Sequence, residues 1–285
     1  MPRLAVLGHP VGHSRSPAMH NAALAALGLG AEWRYEAIEV APEDFAARVR
    51  AMPGEGFAGA NVTVPHKTAA FALADVSSEG AGRIGAANTL VFADGQIQAH
   101  NTDAGGLIDA LPISPSGIRA LVLGAGGAAR AAVWALRTEG AVVDIWNRTE
   151  ARALQIHLEL SDPAQPEDSI QIELQGEFRG AVVEQFDQDE YGLIVNTTAV
   201  GLHGEDPFEE LPLRRAGFGP GTVVADMVYG EGPSTLLQVA AATGAEVVDG
   251  LEILVRQGAL SFQIWTGLEP PLDVMRAAAY SLGGR

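Results

Sequence analysis

The chain has 285 residues, a length that predicts about two domains rather than one small core. Its composition, with 47% hydrophobic and 19% charged residues, is typical of a globular α/β protein and excludes a disordered or fibrous one. The formal net charge of −17 at pH 7 argues against nucleic acid or an anionic membrane surface as a partner, because both are negatively charged. The absence of cysteine excludes disulfides, thiolate catalysis and cysteine metal ligands, and we predict no metal site.

No stretch of the sequence reaches the length of a membrane span. The first twenty residues lack the order of basic, apolar and small residues that marks a signal peptide. We therefore expect a cytoplasmic location and small-molecule ligands. The sequence leaves the oligomeric state open, with a homodimer as one expectation.

The first part of the chain alternates strands and helices. Residues 3–8 are an apolar run that ends at a glycine, which predicts a buried strand. Ser16 followed by Pro17 predicts a helix with Ser16 as its N-cap, and the alanine-rich stretch continues it to residue 29. The pattern then predicts three more elements: a strand over 34–40, a helix that Pro42 opens and a strand over 57–64 that Pro65 ends.

This order of elements implies a parallel sheet with right-handed crossovers. Ligands of such sheets bind at the carboxyl ends of the strands. Segments 8–16 and 63–67 each follow a predicted strand, so we expect both to face one pocket.

The sequence changes character near residue 103, where a loop feeds a short helix. We place a domain boundary there, with a first domain at 1–103 that helical residues 250–285 complete, and a second at 104–249. The predicted fold class is α/β: a parallel α/β substrate-binding domain followed by a Rossmann-type dinucleotide-binding domain.

The second domain begins a new series of strands and helices. We predict strands at 119–123, 141–146, 192–196 and 222–226, and a break between the last helices at Pro270 and Pro271. The segment 160–190 holds nine acidic residues and one basic residue, and we interpret it as a solvated excursion without an assigned function.

A glycine cluster at 124–129 separates the first strand and helix of the second domain and matches the pattern G-x-G-x-x-A. Backbone amides and the helix dipole at such a turn can hold a pyrophosphate. A tight turn with glycines for packing is the alternative, but the flanking strands favour a dinucleotide site. The residues assigned to it are Gly124, Ala125, Gly126, Gly127 and Ala128.

The end of the next strand indicates which nucleotide binds. An NAD site usually carries an acidic residue about 20 residues after the glycines, to bind the ribose hydroxyls. Here that position is Asn147, and Arg148, Thr149 and Arg152 follow it. Arg148 and Arg152 can bind a 2′-phosphate through charge-assisted hydrogen bonds, so we predict NADP. The alternative is that both arginines are solvated residues at a helix start.

Oxidation of a secondary alcohol needs a group that accepts the hydroxyl proton as hydride leaves, and the first domain offers Lys67, Asp103, His9, His13 and His66. Lys67 is the single lysine beside 17 arginines. An amine can release a proton whereas guanidinium cannot, so this retained lysine favours an acid/base role over the more usual surface charge.

The other candidates have structural alternatives. From local sequence alone, Asp103 is preferred as a cap of the helix that begins at Ala104, although capping and catalysis are compatible. Ser14 and Ser16 suit turn and cap positions, and Asn61 suits a hydrogen-bonding residue in a turn or at a strand end.

Nine motifs in order along nearly the whole chain resemble those of the shikimate dehydrogenase family. They are G-H-P-V-x-H-S-x-S-P (8–17), N-V-T-x-P-x-K (61–67), G-A-A-N-T (85–89), N-T-D-x-x-G (101–106), G-A-G-G-A (124–128), N-R-T-x-x-R (147–152), N-T-T (196–198), D-M-V-Y (226–229) and Q-x-x-x-x-F-x-x-W (257–265).

The resemblance implies a reversible, NADP-dependent interconversion of 3-dehydroshikimate and shikimate in chorismate and aromatic amino-acid biosynthesis. It implies that Ser14, Ser16 and Tyr229 hold the substrate carboxylate, and that Lys67 and Asp103 are the acid/base pair. We expect that pair to titrate as one unit, and which group holds the proton stays open. The residues implied around the ring hydroxyls are Thr63, Lys67, Asn88, Asp103 and Gln257.

The resemblance adds Thr197, Met227 and Gly250 to the cofactor site. Leu251 stands where the family often has methionine beside the nicotinamide, and it should preserve an apolar wall. The alternatives are a quinate/shikimate paralogue that uses NAD, a methylene-tetrahydrofolate dehydrogenase, whose Tyr-x-x-x-Lys pair is absent around Lys67, and a non-catalytic NADP-binding sensor.

Overall fold

A computed structural model describes residues 2–160 and 180–281 in two compact units. The first contains the described residues up to Leu111, Tyr229–Pro233 and those from Val248 onward. The second contains the described residues from Pro112 to Val228 and Ser234–Val247. Most of the predicted acidic excursion at 160–190 lies outside the described residues. No helix of the described ranges is long and apolar enough to cross a membrane.

Strands and helices alternate along most of the chain. Up to Ala110 they are β1 (Arg3–Gly8), α1 (Ser16–Ala26), β2 (Arg34–Glu39), α2 (Phe45–Ala51), β3 (Phe57–Val62), α3 (Lys67–Leu73), β4 (Val76–Ser77), α4 (Glu79–Ile84), β5 (Thr89–Ala93), β6 (Gln96–His100) and α5 (Asp103–Ala110). From Arg119 they are β7 (Arg119–Leu123), α6 (Gly127–Thr138), β8 (Val142–Trp146), α7 (Glu150–Glu159), β9 (Leu193–Asn196), α8 (Pro207–Glu210), β10 (Val223–Asp226), α9 (Thr235–Ala242), β11 (Glu246–Val248), α10 (Gly250–Thr266) and α11 (Leu272–Tyr280).

The first unit contains a six-stranded sheet in the order β2-β1-β3-β5-β6-β4. β1 pairs in parallel with β2 and β3, as the alternation of strands and helices predicts. β5 is antiparallel to both β3 and β6, so this half of the sheet is mixed. The loop predicted just before residue 103 is wrong at Gln96–His100, which forms β6. The turn of this hairpin is Asp94-Gly95, and both residues have positive φ, +55° and +72°; an Asp-Gly pair is a strong hairpin signal.

The start of α1 differs from the prediction in its cap. The helix begins at Ser16 with Pro17 in its first turn, but its N-cap is Arg15, without a side-chain cap bond. Ser14 Oγ accepts a hydrogen bond from the Ser16 backbone N at 3.3 Å. The Ser16 side chain is therefore not the cap, and it is buried, with 3% of its surface exposed.

The C-terminal helices complete the first unit. Apolar side chains of α1, including Met19 and Leu24, share one buried cluster with Phe262 of α10 and Met275 of α11. The chain passes to the second unit between Leu111 and Pro112, eight residues after the predicted boundary at 103/104. The difference arises because α5 packs closely against α10 of the first unit: a Cβ added at Gly106 would lie 2.6 Å from the Gln257 backbone N.

The second unit contains a five-stranded sheet in the order β11-β10-β9-β7-β8. β7 pairs in parallel with β8 on one side and β9 on the other. A single bridge between Ile145 and Val182 continues the sheet beyond β8. The strand order thus reverses at β7, which makes the carboxyl end of β7 the topological switch point where sheets of this type bind ligands.

Candidate active site

Lys67 and Asp103 form a largely buried ion pair in the first unit. Each is the first residue of a helix, Lys67 of α3 and Asp103 of α5. Lys67 Nζ donates to Asp103 Oδ2 at 2.6 Å, and the two side chains are 12% and 6% exposed. An amine and a carboxylate in direct contact can exchange a proton, so the pair has the composition of a general acid/base unit.

Asp103 does not cap its helix. The N-cap of α5 is Thr102, and Asn101 Oδ1 accepts a 3.3 Å hydrogen bond from the Ala104 backbone N. The preferred local interpretation of Asp103 as a cap is therefore wrong, because its two carboxylate oxygens bind Lys67 and Asn88 instead.

Asn88 joins the substrate residues implied by the resemblance. Its Nδ2 donates to Asp103 Oδ1 at 2.9 Å and to Gln257 Oε1 at 3.0 Å, and its Oδ1 accepts from the Thr102 backbone N at 2.7 Å. Asn88 is 2% exposed and Gln257 is 6% exposed. The fold therefore brings together four predicted residues that are far apart in the chain: Lys67, Asn88, Asp103 and Gln257.

Gly106 of α5 has no side chain and so leaves room for Gln257 of α10. Gly106 faces Gln257 so closely that an added Cβ would meet the Gln257 Cβ and backbone N at 2.6 Å and its Cα at 2.8 Å. Because backbone atoms are among these neighbours, α10 would have to move to make room.

Gly106→Ala is therefore expected to raise the KM for a substrate that Gln257 binds by about tenfold and to destabilise the first unit by about 1–3 kcal/mol. The measurement is steady-state kinetics with thermal unfolding. Gly105→Ala is the matched control, because its Cβ would meet only the flexible tip of Leu260, at 2.9 Å. Equal KM values for both variants would count against this role of Gly106.

A second layer of buried polar side chains supports the pair and was not predicted as a site. Asn61 Nδ2 donates to Ser261 Oγ at 2.9 Å and to Thr89 Oγ1 at 3.1 Å. Ser261 Oγ also lies 3.0 Å from Thr102 Oγ1. A signal existed in the sequence for Ser261, because it follows Gln257 by four residues and so lies on the same helix face.

The segments after β1 and β3 are adjacent: the Thr63 backbone N donates to Leu7 O at 2.8 Å, and the His9 backbone N donates to Val64 O at 3.0 Å. Thr63 is partly buried there, and its methyl group would touch a Cβ added at Gly8. The two segments therefore share one edge of the sheet.

Two tyrosines lie beside the predicted serines. Burial raises the Tyr229 pKa, while the nearby Ser14 and Arg15 oppose that shift. Burial raises the Tyr35 pKa well above the usual value, while the nearby Ser16 opposes that shift. Ser14, Ser16 and Tyr229 are therefore together in the first unit.

The three histidine candidates, His9, His13 and His66, are not hydrogen-bonded to Lys67 or Asp103 in the described structure. His66 is 2% exposed, its Nε2 lies 2.8 Å from Val40 O, and its ring stacks on Phe45. Burial is the largest cause that lowers the His66 pKa. His9 Nδ1 lies 3.2 Å from a Glu39 carboxylate oxygen at the surface, and His13 is exposed. Among the five acid/base candidates, Lys67 and Asp103 are the two whose side chains are joined by a hydrogen bond in the described structure.

The glycine turn of the second unit lies at the carboxyl end of β7. Gly124 has a φ of +115°, and a Cβ there would lie 2.6 Å from Thr197 Oγ1, so both its conformation and its neighbour favour glycine. Thr197 Oγ1 donates to Leu123 O at 2.7 Å. The N-cap of α6 is Gly126, which has no side chain to occupy the amides of the first turn. These amides are suited to a pyrophosphate.

The predicted ribose residues surround the start of α7. Asn147 Nδ2 donates to Thr149 O at 2.8 Å, and Thr149 is the N-cap. Arg148 and Arg152 are exposed next to this turn. Two exposed guanidinium groups without an acidic residue at position 147 are suited to a phosphate on the ribose.

The remaining predicted cofactor residues are divided between the units. The Met227 backbone N, after β10, donates to Asn196 O at 2.9 Å in the second unit. Gly250 is the first residue of α10 in the first unit, where the Asp249 side chain caps the helix by accepting from the Leu251 backbone N. Leu251 is 8% exposed.

A buried lysine–aspartate ion pair on a mixed α/β unit and a G-x-G-x-x-A turn at the switch point of a parallel sheet define a dinucleotide-dependent type of α/β protein. Residues 6–90 match the family model of the shikimate dehydrogenase substrate binding domain. Residues 250–280 match that of the shikimate 5'-dehydrogenase C-terminal domain.

Individual relatives agree with the family models. The chain is 43% identical over 284 residues to the shikimate dehydrogenase (NADP(+)) of Acidiphilium cryptum, and the match covers 98% of this chain and 96% of that protein. It resembles the crystal structure of shikimate 5-dehydrogenase from Thermus thermophilus in complex with NADP(H) and shikimate, with a TM-score of 0.82 and 41% identity over 98% of each chain. The chain belongs to the shikimate dehydrogenase family.

The same fold also carries another activity. The ligand-free 5-ketofructose reductase of Gluconobacter sp. strain CHM43 has a TM-score of 0.82 and 29% identity to this chain, and the match covers 99% of this chain and 98% of that one. The substrate therefore has to be argued from side chains, since the fold alone does not decide it.

Proposed function

We propose that the protein catalyses the reversible, NADP-dependent reduction of 3-dehydroshikimate to shikimate, a step of chorismate and aromatic amino-acid biosynthesis. The observation that carries this proposal is the Lys67–Asp103 pair, in contact at 2.6 Å and joined through Asn88 to Gln257. Membership of the shikimate dehydrogenase family supports the choice of substrate.

The side chains of the first unit are suited to a small anion with several hydroxyl groups. The hydroxyls of Ser14, Ser16 and Tyr229 are donors for the substrate carboxylate. Thr63, Asn88 and Gln257 are assigned to the ring hydroxyls. In a protein with a net charge of −17, these local donors and the Lys67 ammonium supply the attraction that the whole protein does not.

The proton of the reacting hydroxyl is assigned to the Lys67–Asp103 pair. In the reductive direction NADPH supplies hydride to the ketone carbon. A protonated Lys67 donates its proton to the carbonyl oxygen, and in the reverse direction the neutral amine accepts it. Asp103 orients the amine through its Oδ2, and Asn88 holds the other carboxylate oxygen.

The cofactor is assigned to three sets of residues. The turn at Gly124–Ala128 holds the pyrophosphate, and Asn147, Arg148, Thr149 and Arg152 hold the ribose phosphate. We assign Thr197, Met227 and Gly250 to the nicotinamide half. The open amides of the α6 N-terminus and the exposed arginines support this assignment.

The test is the initial rate at which the reduced nicotinamide forms. Shikimate and quinate are each assayed with NADP and with NAD. A strong preference for shikimate with NADP is expected. A preference for quinate or NAD would assign the protein to the paralogous activity. Reduction of 5-ketofructose should be assayed in parallel, because the related reductase has the same fold. NADP binding without turnover of any substrate would favour a sensor.

Arg148→Ala is expected to raise the KM for NADP by roughly 10- to 100-fold and to leave the KM for NAD unchanged, because it removes a charge-assisted contact to the 2′-phosphate. Arg152→Ala is expected to act in the same direction. The exposed Arg50→Ala in the first unit is the matched control for loss of one positive charge. Parallel losses with NADP and NAD would contradict the ribose-phosphate assignment.

Two further expectations stay predictions: a cytoplasmic location and a homodimer. Fractionation of the source cells tests the first. Light scattering over a range of protein concentrations tests the second.

A further inference from the structure

The Tyr35 side chain connects the two ends of the proposed substrate site. It lies in β2 and is 2% exposed. Its hydroxyl donates to Asn61 Oδ1 at 2.7 Å, and Ser16 lies close enough to oppose the rise of the Tyr35 pKa that burial causes. Ser16 is one of the two serines assigned to the substrate carboxylate.

From Asn61 a continuous series of buried hydrogen bonds leads to the acid/base pair. Asn61 Nδ2 donates to Ser261 Oγ at 2.9 Å, and Ser261 Oγ lies 3.0 Å from Thr102 Oγ1. Asn88 Nδ2 donates to Thr102 Oγ1 and to Asp103 Oδ1, both at 2.9 Å. All these residues are buried, so their hydrogen bonds form in a low-dielectric environment in which an unpaired polar atom is costly.

The aromatic surroundings hold the Tyr35 ring in one position. The His20 ring stacks on it in parallel, with centroids 4.3 Å apart and an interplanar angle of 9°. The Trp265 ring is tilted against the Tyr35 ring, with centroids 6.1 Å apart. Because His20 and Trp265 pack against the Tyr35 ring, the position of the Tyr35 hydroxyl is fixed. A residue that positions others requires such a fixed group.

We propose that Tyr35 is a positioning residue that orients Ser16 for the substrate carboxylate and, through Asn61, keeps Asn88 and Asp103 aligned. The proposal rests on the proposed function. Tyr35 touches neither the substrate nor the cofactor in this assignment and acts through Ser16 and Asn61. Each serine assigned to the carboxylate then has a tyrosine near it, Tyr229 near Ser14 and Tyr35 near Ser16.

The experiment is the Tyr35→Phe variant, which removes one oxygen and retains the stacked ring. We expect the KM for shikimate to rise about tenfold, because Ser16 loses its partner and Asn61 Oδ1 loses its donor. In a Ser16→Ala background the same change should raise KM less than it does in the wild type, because the route through Ser16 is then absent and only the route through Asn61 remains. Ser261→Ala interrupts the series beyond Asn61 and is expected to lower kcat with little change in KM.

The matched control is Tyr191→Phe in the second unit, which also removes a buried tyrosine hydroxyl, one that donates to Asp144 at 2.7 Å. It is expected to lower the Tm without changing KM. A Tyr35→Phe variant that loses stability but keeps the wild-type KM would overturn the proposal, as would full additivity with Ser16→Ala. A wild-type protein without shikimate turnover would instead refute the proposed function, and the Tyr35 proposal with it.

Discussion

Lys67→Ala is expected to lower kcat for shikimate oxidation by roughly 10²- to 10⁴-fold, the usual contribution of a positioned acid/base group. The substitution removes the single amine side chain of the protein and leaves the Asp103 carboxylate without its partner at 2.6 Å. NADP binding should be retained, because the residues assigned to the cofactor phosphates lie in the second unit. Steady-state kinetics measure kcat, and titration of NADPH fluorescence measures cofactor binding.

The Lys67→Arg variant distinguishes proton transfer by residue 67 from the effect of its positive charge. It preserves a cation beside Asp103, but a guanidinium does not release its proton in the accessible pH range. We therefore expect nearly the same loss of kcat as with alanine. Recovery of more than about a tenth of the wild-type rate would indicate that the positive charge alone is sufficient, and would contradict proton transfer by Lys67.

Asp103→Asn tests whether Lys67 and Asp103 titrate as one unit. Asparagine retains the size of the side chain and one of the two hydrogen bonds that the carboxylate accepts, but it removes the negative charge next to the amine. We expect a slower enzyme with a displaced pH–rate profile, because coupled groups titrate together. An unchanged profile and rate would count against the coupling. Asp109→Asn, which removes an exposed carboxylate from the same helix, is the control.

Between pH 7 and pH 4 the protein is expected to lose about 3 kcal/mol of its free energy of unfolding through His20 alone. His20 is fully buried, and this burial lowers its pKa from 6.5 to about 3, with the neighbouring Asn61 opposing the shift in part. Neither ring nitrogen has a hydrogen-bond partner of normal geometry among the described residues.

The sign follows from proton binding. Below pH 6.5 the unfolded chain protonates this histidine, whereas the folded protein keeps it neutral down to about pH 3. The unfolded state therefore binds more protons in this window, so stability falls as the pH falls. A neutral His20 is also the form that stacks on Tyr35 without burying a charge.

Urea unfolding of the wild type and of His20→Gln at pH 7, 6, 5 and 4 measures this contribution. The variant is expected to be less stable at pH 7 but to lose about 3 kcal/mol less on acidification. His203→Gln removes an exposed histidine and serves as the control. Identical pH dependences of His20→Gln and the wild type would refute the prediction.

Local signals in the sequence located most elements and much of the candidate site. The apolar runs predicted β1 and β7 with the bounds that the structure shows, and the glycine cluster lies between β7 and α6 as expected. Such features depend on neighbours within a few residues, so they are readable without the fold. The Asp94-Gly95 turn is also a local signal, because an Asp-Gly pair with positive φ favours a hairpin. The hairpin was nevertheless missed in the sequence.

The role of Asp103 depended on distant residues. Its position at a helix start favoured a cap, but the lysine 36 positions earlier and the asparagine 15 positions earlier bind its two oxygens. Helix α5 itself belongs to the first unit because Gly106 allows α10 to approach it closely. Neither effect has a counterpart in the local pattern.

Most of the alternating strands and helices, the type of cofactor turn, the single lysine and the family of the chain could be predicted from the residues alone, whereas the β5–β6 hairpin was missed. Each of these follows from residue types at short spacing or from motifs in order. The buried series of Tyr35, Asn61, Ser261 and Thr102 next to the Lys67–Asp103 ion pair became visible only once the chain was folded. Asn61 and Ser261 are 200 positions apart, and a polar side chain acquires a role in the interior only from the partners that folding brings to it.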